Sequence, residues 1–155
     1  MGDDLYPSDD EADKELIEMF MNNWGYVTDT YYSVLTATSE TEVIRCKASF
    51  MKSLGTINDL LKERSSGDFL LGPSFSYAEC ISAPWIQRFY VTLPYFRGID
   101  FDKDILSNFN ALSVWMEGVI GRPSCKLSIC PEDEMIAACK RYYVSYLSPG
   151  AKGDL

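Results

Sequence analysis

The chain has 155 residues, a net charge of −9 and a hydrophobic fraction of 46%. This length can bury the core of one globular domain. Because the sequence contains no histidine, it excludes Ser-His-Asp triads, Cys-His pairs, histidine general bases and imidazole metal ligands. The acidic balance argues against a nucleic-acid partner, since phosphates are bound by clustered lysine and arginine.

The negative charge is concentrated near the start of the chain. Residues 1–18 hold eight acidic residues against the single base Lys14, whereas the remainder holds fifteen acids and thirteen bases. We interpret the acidic segment as a solvated leader and first helical turn, with an acid-mediated docking site as the alternative. We expect no signal peptide and no membrane span. The five cysteines form no C-x-x-C pair, which predicts reduced, mostly buried thiols and no metal site.

Helical periodicity dominates the first half of the chain. Apolar residues recur at three- and four-residue steps from about residue 10 to 35, which predicts a long helix with Gly25 as a candidate kink. A capping box at Ser39 and Glu42 predicts the start of a second long helix. Its apolar face runs from Val43 to Leu61, and Ser-Ser-Gly at residues 65–67 predicts its end.

The second half continues the pattern. A capping box at Ser76 and Glu79 predicts a third helix, central and buried, over residues 80–89, and Pro84 should bend it. A loop is predicted at 96–100, followed by a fourth helix whose apolar face includes Ile105 and extends to residue 119. Pro131 predicts the start of a fifth helix. With no hairpin or β-α-β pattern, the fold class is all-α, a bundle of about five to seven helices.

A family resemblance enters with the second capping box. Residues 68–79, Asp-Phe-Leu-Leu-Gly-Pro-Ser-Phe-Ser-Tyr-Ala-Glu, resemble the signature of the C-terminal domain of glutathione S-transferases, with Glu79 in place of the commoner aspartate. Pro-Trp-Ile-Gln-Arg at residues 84–88 is similar to a stretch of omega-class members, and to a related one in the plant lambda class. Residues 5–9, 93–96, 110–116 and 122–124 also resemble family segments. The resemblance covers roughly residues 5–147.

This resemblance implies a glutathione S-transferase C-terminal-like helical domain at residues 9–147, after an acidic leader at 1–8 and before a flexible tail at 148–155. Complete family members also have an N-terminal thioredoxin-like domain, which binds glutathione and supplies the catalytic residue. We expect that domain to be absent from this chain. The chain alone should therefore have no catalytic residue and bind no cofactor, with glutathione implied for the complete protein.

The resemblance also implies candidate substrate-binding residues. In omega-class members this domain forms the wall of the site for hydrophobic acceptor substrates. Matching positions here are Arg88 on the proline-bent helix, and Met135 and Tyr142 on the last long helix, where Met135 replaces a family tryptophan. Trp24, Tyr31 and Tyr32 lie on the first helix, which in the family faces the cleft and the dimer partner. The alternative is that Arg88 pairs with a surface acid and the aromatic residues are ordinary core.

Three functions remain open. The first is a glutathione-dependent transferase or thiol transferase, to which this domain contributes the acceptor-substrate wall and the domain interface. The second is a non-catalytic helical protein-interaction module, of the kind found in translation-factor and synthetase assemblies. A small-molecule carrier is the third. Expected partners are a thioredoxin-like domain, another protein or a second copy in a homodimer. The expected location is the cytoplasm, with the plastid as the alternative.

Overall fold

A computed structural model describes residues 5–7, 9–63 and 66–143, with side chains as far as residue 141. Within these residues the fold is all-α, as predicted, and contains no β-strand beyond two isolated bridges. The elements are α1 (Glu11–Thr36), α2 (Glu40–Lys62), α3 (Tyr77–Arg97), α4 (Phe101–Asp104), a 3-10 turn (Leu106–Asn108), α5 (Asn110–Gly121), α6 (Pro123–Leu127) and α7 (Glu132–Tyr143).

The two long helices begin at polar caps. The Asp10 carboxylate accepts hydrogen bonds from the backbone N–H groups of Ala12 and Asp13, which starts α1. At α2 the Ser39 hydroxyl accepts from the N–H of Glu42, as the capping box predicts, at 3.2 Å. The reciprocal bond of this capping box goes to the residue before the cap, because the Glu42 carboxylate accepts from the N–H of Thr38 at 2.6 Å. The helical pattern of α1 continues through Gly25 without interruption.

The third helix starts at the predicted capping box and is longer than expected. Both reciprocal bonds between Ser76 and Glu79 are present. The helix continues past residue 89 to Arg97, through both Pro84 and Pro94, so the first part of the predicted loop at 96–100 is helical. Gly98 ends it in the left-handed conformation, at φ 64°, which glycine adopts without steric cost.

The prediction of a continuous fourth helix is wrong for the first part of that segment. Ile105 has φ −128°, so a short helix, α4, ends before it, and a 3-10 turn follows. The α-helix resumes only at Asn110. Ile105 and Leu106 are nevertheless buried, and for this reason the apolar spacing imitates a continuous helix. The start of α5 is capped from another helix, because the Asn58 side-chain oxygen accepts from the N–H of Leu112 at 3.1 Å.

An aromatic core lies between α1, α2, α3 and α5. Trp24 stacks on Phe20 with ring centroids 5.5 Å apart, and Trp115 contacts both rings. Phe89 from α3 contacts Trp24 at 6.1 Å. Such ring pairs contribute about 0.5–1.5 kcal/mol each beyond their buried area. The central position of α3 follows from this packing, as the apolar character of its sequence predicts.

Glu79 joins three segments of the chain. Its carboxylate is completely buried, at 0% exposure. One oxygen accepts from the N–H of Leu70 at 2.7 Å and from the indole N–H of Trp115 at 2.8 Å. The other accepts from the N–H and hydroxyl of Ser76, at 2.8 and 2.7 Å. A buried carboxylate is tolerated because all four donors point at it.

We predict that Glu79→Gln lowers the free energy of unfolding by about 3 kcal/mol or more, because the amide group turns an N–H₂ toward donors and leaves buried groups unpaired, at about 1–3 kcal/mol each. Glu117→Gln, on the exposed side of α5, is the matched control and should change stability by less than about 0.5 kcal/mol. Urea denaturation followed by tryptophan fluorescence measures both. Equal effects of the two variants would contradict the assigned role of Glu79.

Candidate functional site

Arg88 lies on the flank of α3 that faces α1. Its side chain is half-buried, and its guanidinium carbon lies 4.8 Å from the centre of the Trp85 ring. A guanidinium N–H donates to the hydroxyl of Tyr32 on α1, at 3.5 Å. Trp85 and Tyr32 also contact each other edge to face, with centroids 5.6 Å apart. These three residues, which we call the Arg88 cluster, combine one positive charge with two half-buried aromatic rings.

Trp24 and Tyr31 have a different position. The structure places both in the core, at 2% and 1% exposure. The hydroxyl of Tyr31 is hydrogen-bonded to that of Thr92 at 2.7 Å, and Thr92 donates to the backbone carbonyl of Arg88 at 2.6 Å. Tyr31 therefore holds α3 against α1 behind Arg88 and presents almost no surface to a ligand. The indole N–H of Trp24 is buried and has no hydrogen-bond partner among the described residues.

Met135 lies on α7 at 7% exposure, one turn before Cys139 at 8%. Burial raises the pKa of the Cys139 thiol, and the positive charge of Arg88 opposes that shift, so this face of α7 lies within electrostatic reach of Arg88. The backbone of Tyr142 belongs to α7, but its side chain lies outside the described residues. Arg88 and Met135 remain predictions, and the Met135 side chain is buried and presents little surface to a ligand. The prediction for Tyr142 falls outside the described side chains.

Trp85 was not among the predicted site residues, and Tyr32 was noted only as one of three aromatic residues on the helix that faces the cleft in the family. Trp85 lies three residues before Arg88, a spacing that brings side chains together on one helix face. The sequence therefore carried a signal for Trp85. Tyr32 lies on another helix, 56 residues away, and no spacing rule connects it to Arg88.

The five cysteines differ in burial, and three of them have a raised thiol pKa. All five are free, and three of them, Cys80, Cys125 and Cys130, are only half-buried, against the expectation of mostly buried thiols. Burial raises the pKa of Cys80 and of Cys125, with the Arg122 charge opposing it in both cases. A raised pKa reduces the thiolate fraction at neutral pH and hence the nucleophilicity.

Two further properties bear on the class of protein. The part of the chain that the structure describes contains no group of three or more Cys, Asp or Glu side chains placed to hold a metal ion. No helix in that part is both long and apolar enough to cross a bilayer.

The sequence model of one protein family, the glutathione S-transferase C-terminal domain, matches residues 40–118. The matched residues include α2, the capping box, α3 and most of α5. This chain belongs to the glutathione S-transferase C-terminal domain family. The matched segment contains Glu79 and Arg88 and excludes α1 and α7. No curated protein matches the chain in sequence.

Two solved structures are similar to this glutathione S-transferase domain. One is the Leishmania protein TDR1, a trimeric glutathione transferase, with a TM-score of 0.74 and 20% sequence identity over 90% of this chain. The other is glutathione transferase Omega 3C from Trametes versicolor, with a TM-score of 0.70 and 20% identity over 91% of this chain. The match spans only 31% and 58% of those two chains, so the similarity concerns the fold of this domain.

Burial of the Tyr31 hydroxyl makes stability dependent on pH. Burial raises the pKa of Tyr31 well above its ordinary value of 10.0, although the hydrogen bond with Thr92 opposes the shift. The folded state therefore keeps a proton that the unfolded state releases, so the stabilisation is complete below about pH 10 and is lost as the pH rises above it. Burial and Asp102 also raise the pKa of Tyr90, so Tyr31 accounts for part of the loss of stability at high pH.

We predict that Tyr31→Phe flattens the fall in the free energy of unfolding between about pH 10 and pH 11.5, because the titrating hydroxyl is removed. At pH 7 the variant should lose about 1 kcal/mol, the net contribution of one hydrogen bond. Urea denaturation at a series of pH values measures both effects. Tyr26→Phe, at a position 67% exposed, is the control and should follow the unaltered chain. An unchanged slope in Tyr31→Phe would show that the buried Tyr31 hydroxyl does not cause the pH dependence.

Proposed function

We propose that this domain forms the acceptor-substrate wall of a glutathione-dependent transferase, and that a thioredoxin-like domain of the complete protein binds glutathione and supplies the catalytic residue. The Arg88 cluster carries the proposal. Glutathione and its conjugates are anionic, and acceptor substrates are commonly aromatic or apolar. A half-buried guanidinium between Trp85 and Tyr32 offers both a counter-charge and ring surface.

The raised pKa values of the thiols support a non-catalytic role for the domain alone. Burial raises the pKa of Cys80, Cys125 and Cys139, whereas a thiolate nucleophile needs a lowered pKa. We propose that Met135 and Tyr142 extend the wall from α7, since α7 packs against α3, the helix that carries Arg88. Tyr31 and Trp24 contribute by fixing α1 behind it.

A second candidate function is a protein-interaction module. On α1 the side chains of Met19 and Tyr26 are 50% and 67% exposed. They lie seven residues apart, and so nearly on one line along the helix. Exposed apolar residues in such an arrangement suit a partner helix or a second copy. This candidate places the functional surface on α1 and assigns no ligand to Arg88.

We predict that Arg88→Gln weakens binding of 8-anilinonaphthalene-1-sulfonate, an aromatic anion, by about tenfold, since a charge-assisted contact contributes about 1.5–3 kcal/mol. The fluorescence of the dye measures its dissociation constant. Arg45→Gln is the matched control, because Arg45 is an α2 arginine whose side chain is 72% exposed. Equal affinities of Arg88→Gln and Arg45→Gln would contradict the proposed site.

The mass of the protein in its native source separates the two candidate functions. The transferase proposal expects a polypeptide well above 17.5 kDa that contains a thioredoxin-like domain and is retained on immobilised glutathione. A native chain of about 17.5 kDa would contradict the transferase proposal and favour the interaction module. In that case Tyr26→Lys, rather than Arg88→Gln, should abolish association with the partner.

A further inference from the structure

A concave site lies on the flank of α3 away from the Arg88 cluster. It is a cavity of about 380 Å³, bordered by α3, the end of α5, α6 and the start of α7. The volume falls within the range of small-molecule sites, about 300–1,000 Å³. Most of its wall is apolar and comes from Ala83, Pro84, Val91, Ile120 and Ile129. We call it the α3–α7 groove.

The groove is held in shape by one amide side chain. Gln87 donates from its side-chain nitrogen to the carbonyl of Cys130 at 2.6 Å, and its oxygen accepts from the N–H of Cys130 at 3.2 Å. This pair of bonds fixes the segment before α7 to α3. Ile129 and Glu132, on either side of Cys130, are therefore positioned before any ligand arrives, which reduces the entropic cost of binding.

The electrostatic character of the groove is acidic. Glu132 is the charged side chain among its described lining residues, and none of those residues is a lysine or an arginine. Tyr90, which also lines it, donates from its hydroxyl to Asp102 at 2.7 Å. The pKa of Tyr90 is raised by burial first, then by Asp102, and the negative charge of Glu117 adds to the shift. Glu132 thus lines the cavity itself, and the carboxylates of Asp102 and Glu117 act on Tyr90 in its wall.

Two bases of the neighbouring turn, Arg122 and Lys126, do not line the cavity. Arg122 lies over the ring of Phe75, with its guanidinium carbon 3.7 Å from the ring centre. Lys126 is exposed on α6. Because Gln87 and Tyr90 already have protein partners, Glu132 is the group left to pair with a charged ligand.

We propose that the α3–α7 groove binds a small apolar molecule that carries one protonated amine. Its apolar body packs against Pro84, Val91, Ile120 and Ile129, and its ammonium group pairs with Glu132. The Arg88 cluster, on the other flank of α3, has the opposite charge and selects anions. The amine site therefore differs from the proposed acceptor wall both in place and in ligand class, and it does not depend on the transferase proposal.

The test uses 4-phenylbutylamine as the probe and 4-phenylbutyrate as its matched anion. Each is titrated into the full chain with ¹³C-labelled methyl groups, and NMR records the shifts. The amine is expected to move the methyl signals of Val91, Ile120 and Ile129, and to bind at least about tenfold more tightly than the anion. Equal binding of amine and anion, or shifts confined to other methyl groups, would overturn the proposal.

Two pairs of variants test whether the Glu132 carboxylate binds the ammonium group and whether the apolar wall of the groove binds the probe. Glu132→Gln should weaken amine binding about three- to fivefold, as expected for an exposed ion pair, while Asp133→Asn, next to it in the chain, should leave it unchanged. Ile129→Arg should abolish binding, and Ile44→Arg, at a position 71% exposed on α2, is its control. Circular dichroism confirms that each variant is folded.

The result of the amine titration does not depend on the Arg88 cluster. Arg88→Gln should leave amine affinity unaltered, so failure of the acceptor wall and failure of the amine site give different results. If Glu132→Gln and Asp133→Asn bind the amine equally, the counter-ion assignment is wrong. If Ile129→Arg binds as the unaltered chain does, the probe is not in the α3–α7 groove.

Discussion

The carboxylate of Glu79 is the contact on which the arrangement of the domain depends. A carboxylate removed from water is costly unless its oxygens are fully hydrogen-bonded, and here the donors come from Leu70, Ser76 and Trp115. The loop before α3, the first turn of α3 and the middle of α5 must therefore come together in one geometry. Trp115 then transmits this geometry to α1 through its contacts with Phe20 and Trp24.

From that fixed start, the rise of α3 sets the position of Arg88, the residue of the proposed site, along the helix axis. A helix rises 1.5 Å per residue, so Arg88 lies about 18 Å along the axis from the cap. The rotation about that axis is set by a second buried contact, in which Tyr31 bonds Thr92 and Thr92 bonds the carbonyl of Arg88. At the far end Arg97 donates to the carbonyls of Val34, Leu35 and Ala37, which satisfies the end of α1. The Arg88 cluster is thus a consequence of how α1 and α3 are joined.

The features that the sequence predicts are local ones. The capping box of Ser76 and Glu79 spans four residues, and the apolar stripes of α1 and α2 repeat within each helix, so pattern rules detect them. The start of α5 depends instead on Asn58, 54 residues from Leu112, and no local pattern records that bond. The apolar spacing around Ile105 predicted helix where the chain turns, because burial continues there although the α-helix does not.

The same distinction applies to the site. The family resemblance predicts a site role for Arg88, which lies on the helix that follows the recognised signature, but it could not show that Trp24 and Tyr31 face the core rather than a cleft. Burial of an aromatic residue depends on which neighbouring helix covers it, and that is a property of packing rather than of spacing. The α3–α7 groove was not predicted for a related reason, since Gln87 and Cys130 meet across 43 residues.

Consecutive residues on a helix point about 100° apart, and this separates two chemical environments on α3. Arg88 points toward Tyr32 of α1, whereas Gln87 points toward Cys130 before α7. One helix, fixed at its start by Glu79, thereby orients a cationic aromatic face on one flank and an acidic apolar groove on the other. Because both depend on the same backbone, a rotation of α3 that opened one flank would displace the residues of the other. The hydrogen bond between Tyr31 and Thr92 on one flank, and those between Gln87 and Cys130 on the other, oppose such a rotation and keep both surfaces in place.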